Sequence, residues 1–181
     1  MILGPKGCLT ALLIVLVAGG LAYDQWAQGT LHTGAAMEEP PALPATIASP
    51  QVKITTLDGK TFGWNDIRTP LILVHFWASW CTPCRVELPA LVAFASLHAD
   101  KLTVIAVSTD EDLKAMETAR KPFADAAGMI WVWDRDRTLS LNTFGVLKVP
   151  ETIIMDQQRR LVDKMTGATD WAAVTLRKWL P

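Results

Sequence analysis

Apolar positions change their period several times along this chain. Val52, Ile54 and Thr56 alternate with polar residues, and Asp58-Gly59 then turns the chain into Thr61-Phe62, which predicts a hairpin. Leu71 to Trp77 is an apolar run headed by Pro70, the pattern of a central strand covered on both faces. The period then lengthens. Leu88, Leu91, Val92, Ala95 and Leu97 fall at helical spacing and predict a helix from about Thr82 to His98, with a kink at Pro89. Leu102 to Ser108 reads as a second buried strand. Helical spacing returns from Glu111 to Ala127 and stops at Gly128. Met129 to Trp133 predicts a short strand, and Thr138 to Phe144 a helical turn closed by Gly145. Thr152 to Met155 is a strand that Asp156 to Arg159 turns back into Leu161 to Met165. Trp171 to Leu180 predicts a last amphipathic helix, N-capped by Thr169 or Asp170. Strands alternating with helices and closing on a hairpin and helix predict an α/β domain with a mixed sheet.

The first fifty residues follow neither period. Lys6 is the only charge ahead of an apolar run from Leu9 to Leu21, interrupted by Thr10 and Gly19-Gly20. The run is shorter than the roughly 20 residues of a comfortable spanning helix. Gly20 and Ala22 would suit a signal-peptide cleavage site, whereas Tyr23 and Trp26 would suit the interface of an uncleaved anchor. The anchor is the preferred reading and the cleaved signal the alternative; either exports the remainder of the chain. Cys8, at the edge of the run, reads as a small apolar residue near the cytoplasmic face. Pro40, Pro41, Pro44 and Pro50 break up the next stretch, which reads as a linker. The expected organisation is a membrane segment over 1–27, a linker over 28–50 and a folded domain over 51–181.

Half the residues are apolar, enough for a core, and the formal net charge is −1. Lys and Arg are scattered among Asp and Glu, which argues against nucleic acid as a partner. Eight tryptophans beside one tyrosine read first as packing, with an aromatic partner surface as the alternative. Three cysteines are too few for a disulfide scaffold or a four-thiolate zinc site.

One pair of cysteines carries chemistry. Cys81-Thr82-Pro83-Cys84 follows the Leu71–Trp77 strand and opens the next helix. The first turn of a helix leaves backbone N–H groups unpartnered, and these and the helix dipole favour an anion there. Cys81 is therefore the attacking thiolate. Cys84, one turn inward, is placed to resolve a mixed disulfide formed at Cys81. Pro83 loses no hydrogen bond in the first turn and stiffens it. Half of a zinc site would need partners that His32, His75 and His98 do not supply at ligand spacing. Haem attachment would need a histidine where Arg85 stands. A purely structural disulfide would close too short a loop to constrain the unfolded chain much.

The segment Phe76-Trp77-Ala78-Ser79-Trp80-Cys81-Thr82-Pro83-Cys84-Arg85, continued by Glu87-Leu88-Pro89, resembles the active site of the TlpA/ResA/DsbE-like membrane-anchored thioredoxins. Val149-Pro150-Glu151-Thr152 resembles that family's cis-proline loop, and the stretch between Asp110 and Trp133 its helix-strand insertion. The resemblance runs from about Gln51 to the end. It implies a thioredoxin fold, with a central mixed sheet flanked by helices, and disulfide exchange with other proteins. It implies no cofactor beyond the redox-active Cys81–Cys84 disulfide, and a membrane electron donor as partner. It implies Cys81 as nucleophile, Cys84 as resolving thiol, Trp80 flanking the sulfur, Pro150 as the cis-proline and Val149 as a backbone edge for a substrate peptide.

His75 stands where thioredoxins proper carry a buried aspartate. It is either a proton shuttle for Cys84 or a buried neutral imidazole. Glu151, next to Pro150 and so adjoining the redox pair in the expected fold, is the better acid–base candidate. The functional expectation is an extracytoplasmic reductant of protein disulfides, with cytochrome c maturation as one setting. The alternatives are a disulfide oxidase or isomerase, and a copper or haem chaperone using the two thiolates as soft ligands.

Overall fold

The computed structural model describes residues 52–180. The expected membrane segment, the linker and Cys8 lie outside the described residues. The alternating start forms the hairpin: β1 (Lys53–Thr55) pairs antiparallel with β2 (Thr61–Gly63). Gly59 sits at φ 80 in its turn, a conformation open to glycine.

The first apolar run becomes β3 (Leu71–Trp77), buried at every position. After it come α1 (Thr82–Leu97), β4 (Leu102–Ser108), α2 (Leu113–Arg120), β5 (Met129–Trp133), β6 (Glu151–Met155) and β7 (Leu161–Thr166). The sheet order is β5-β4-β3-β6-β7. β3 lies parallel to β4 and antiparallel to β6, so the sheet is mixed as expected. Residue alternation along β3 divides the core between the two faces of the sheet. Leu71, Leu73 and Trp77 pack with Leu88, Leu91 and Ala95 of α1. Ile72, Val74 and Phe76 pack with Trp64, Phe144 and Ile153 on the other side.

Three local expectations need correction. α2 ends at Arg120, and Lys121–Phe123 tightens into a 3-10 turn instead of carrying the helix to Ala127. Pro122 has no N–H to continue the ladder, and its ring would crowd the carbonyl four residues back. The last helix is also missing: 171–180 forms turns and one 3-10 turn, Leu176–Lys178. Thr175 is extended there, at φ −122 and ψ 140, so Trp171 and Trp179 enter the core from separate turns. Asp170 accepts from the Ala172 N–H at 3.1 Å, but it closes a turn and not a helix. Within α1, Leu97 is 75% exposed, because it falls two positions after Ala95 and off the stripe made by Leu88, Leu91, Val92 and Ala95.

Candidate active site

Cys81 is the N-cap of α1. Its backbone is extended, at φ −81 and ψ 103, and the Cys84 N–H donates to its sulfur at 3.3 Å. A helix N-terminus thus points one of its unpartnered donors at this sulfur. Pro83 lies in the first turn, where the missing N–H disrupts nothing. The two sulfurs are joined at 2.03 Å, with Cα atoms 5.3 Å apart. Access differs between them: Cys81 keeps 5% of its surface exposed, and Cys84 none. An outside sulfur can therefore meet only Cys81 without rearrangement. Trp80, beside it, is 64% exposed, while Trp64, Trp77, Trp131, Trp171 and Trp179 are buried. Packing thus accounts for most of the tryptophans, with Trp80 turned to solvent.

Asp110, which sequence reasoning passed over, holds the approach to Cys81. Its carboxylate accepts from the Ser79 N–H at 2.9 Å, the Ser79 hydroxyl at 2.6 Å and the Ser108 hydroxyl at 2.7 Å. It ties the loop before the cysteines to the end of β4. An acid just past a strand end looks like any turn residue in sequence, so no signal marked it.

His75 lies on the face of β3 that packs against α1. Its Nδ1 is 2.9 Å from the Thr152 hydroxyl, and its Nε2 is 3.6 Å from Oε1 of Glu87. Complete burial drives the imidazole down to about 3, so it is neutral at physiological pH. Burial also pushes the Glu87 carboxyl up, opposed by hydrogen bonds that its Oε2 accepts from Thr169 N–H at 2.7 Å and Trp171 Nε1–H at 3.3 Å. Two groups with displaced proton affinities therefore face each other behind the redox helix. Glu87 stands three residues after Cys84, on the same side of α1. The available signal was an acid inside the apolar stripe of a helix, between Cys84 and Leu91.

Val149 precedes Pro150 through a cis peptide bond, as the resemblance implied. Val149 is partly buried and packs against both halves of the core. Among the described residues neither its N–H nor its C=O has a hydrogen-bond partner. Glu151 opens β6, is buried, and lies 2.8 Å from the Lys164 ammonium. The fold thus brings Cys81, Cys84, Trp80, Thr82 and Pro83 together at the N-terminus of α1. It sets His75 behind them and gives Glu151 a lysine partner.

Residues 47–164 match the AhpC/TSA family. The chain is 31% identical over 119 residues to the thioredoxin-like protein YneN of Bacillus subtilis, covering 66% of this chain and 69% of that one. It is 30% identical over 138 residues to the thiol:disulfide interchange protein HelX of Rhodobacter capsulatus, covering 71% and 73%. Among solved structures it resembles MTB DsbF in its mixed oxidized and reduced forms. That match has a TM-score of 0.63 and 24% identity, and covers 72% of this chain and 95% of that one.

Proposed function

Since the chain belongs to the AhpC/TSA family and is a thiol–disulfide oxidoreductase of the TlpA/ResA/DsbE kind, we propose that it works outside the cytoplasm, held at the membrane by its N-terminal segment, as a reductant of protein disulfides. The observation that carries the reading is the Cys81–Cys84 pair at the start of α1, in which only Cys81 keeps any exposed surface.

In the reduced protein the Cys81 thiolate attacks one sulfur of a substrate disulfide. A bond forms between Cys81 and that sulfur, the substrate S–S bond breaks, and the other substrate sulfur leaves as a thiolate. Cys84 then loses its proton and attacks the Cys81 sulfur. This closes the intramolecular disulfide and releases the second substrate thiolate. The substrate gains two electrons and the protein loses two. A membrane dithiol donor returns them by the same steps in reverse. The paired haem-binding thiols of apocytochromes c are one substrate class that suits this direction.

Direction is a matter of potential. A reductant should poise near thioredoxin, about −270 mV, and a strong oxidant near about −120 mV. Equilibration of the purified protein with dithiol buffers measures this, and a value near the oxidant end would reverse the proposed direction. Capture with Cys84→Ala supplies the partners: Cys81 should retain mixed disulfides with exported proteins.

A further inference from the structure

A groove of about 310 Å³ is lined by Trp80, the residue before Cys81, and by Arg137, Val146, Leu147, Lys148 and Val149. Two features set its chemistry. Trp80 and Leu147, on its walls, are large apolar side chains that are 64% and 77% exposed. Arg137 and Lys148 are cations, and among the described residues neither forms an ion pair. Among the described residues no carboxylate lines the groove.

Four acids of the neighbouring loops are engaged locally, while Glu111, after Asp110, is exposed and makes no ion pair among the described residues. Asp134 accepts from the Leu139 and Ser140 N–H groups, and Asp136 from the Thr138 N–H. Asp110 is held by Ser79 and Ser108, and Glu151 by Lys164. Val149, whose N–H and C=O have no partner among the described residues, also lines this groove, which suits an extended segment.

We propose that the groove selects acidic polypeptide substrates: extended segments whose exchanging cysteine is flanked by an apolar side chain, seated between Trp80 and Leu147, and by a carboxylate held by Arg137 and Lys148. This rests on the proposed disulfide exchange and names its substrate class. The chain's net charge of −1 gives no long-range pull on acids, so a preference for them must come from local cations.

The test uses the full-length reduced chain and three disulfide-linked peptides that share a leucine beside the cysteine and differ only in flanking Asp, Ser or Lys. The Asp peptide should be reduced about tenfold faster than the Lys peptide at low salt, and the gap should close at about 1 M salt, where the Debye length is about 3 Å. Arg137→Gln with Lys148→Gln should collapse the ratio, whereas Lys53→Gln, on β1, should leave it intact. Reduction of the Asp, Ser and Lys peptides at equal rates would overturn the groove's selectivity while leaving disulfide exchange standing. Failure with all three peptides would overturn both.

Discussion

The most unusual residue is His75. Its strand position pairs with Ala106 on one side and Thr152 on the other, and the side chain is completely buried. The folded protein keeps this imidazole neutral down to about 3, while the unfolded chain protonates it near its ordinary 6.5. As pH falls through that window the unfolded state binds more protons, and stability is lost by up to about 1.4 kcal/mol per pH unit. Glu87 acts with the opposite sign: its raised carboxyl takes up a proton on folding and favours the folded state as pH falls. His75→Asn, which keeps a partner for Thr152, should therefore flatten the loss of stability between about pH 6 and 4. Urea unfolding over that range measures the slope, and an unchanged slope would show that His75 does not set the acid limit.

At the scale of elements, the site depends on how β3 and β4 end together. The turn after β3 presents Cys81 to the first turn of α1, and Asp110 at the end of β4 fixes that turn through its hydrogen bonds to Ser79 and Ser108. Hydrogen bonds to charged groups contribute about 1.5–3 kcal/mol each, and not additively. Asp110→Ala should lower unfolding free energy by about 3 kcal/mol in denaturant titration; a loss below about 1 kcal/mol would mean that the loop holds itself. The chain entering β5 meets α1 closely at Gly128, where φ is +76 and an added Cβ would lie 2.8 Å from the Ala95 carbonyl oxygen. Glycine is thus required there by packing as well as by backbone conformation.

At the scale of the whole molecule, most strands were legible because their signal is local. A run as apolar as Leu71–Trp77 or Leu102–Ser108, short and rich in branched side chains, suits a strand covered on both faces. Helix ends were less legible. Pro122 and the extended Thr175 cut short patterns whose apolar spacing continues past them. The cysteines and the loop before Pro150 were readable because their chemistry is carried by contiguous residues. Asp110 was not, and Glu87 showed only as an acid in an apolar stripe, since each acquires its partners, Ser79 in one case and Thr169 and Trp171 in the other, only across the fold.

The described residues set Cys81, which keeps 5% of its surface exposed, at a helix N-terminus and bury Cys84 completely behind it. Limited alkylation of the reduced full-length chain at neutral pH, followed by mass mapping, tests this arrangement most directly. The label should appear on Cys81 well before Cys84, and Cys84→Ala should leave that rate nearly intact. Modification of Cys84 first, or of both at the rate of a free thiol in an unfolded peptide, would contradict it.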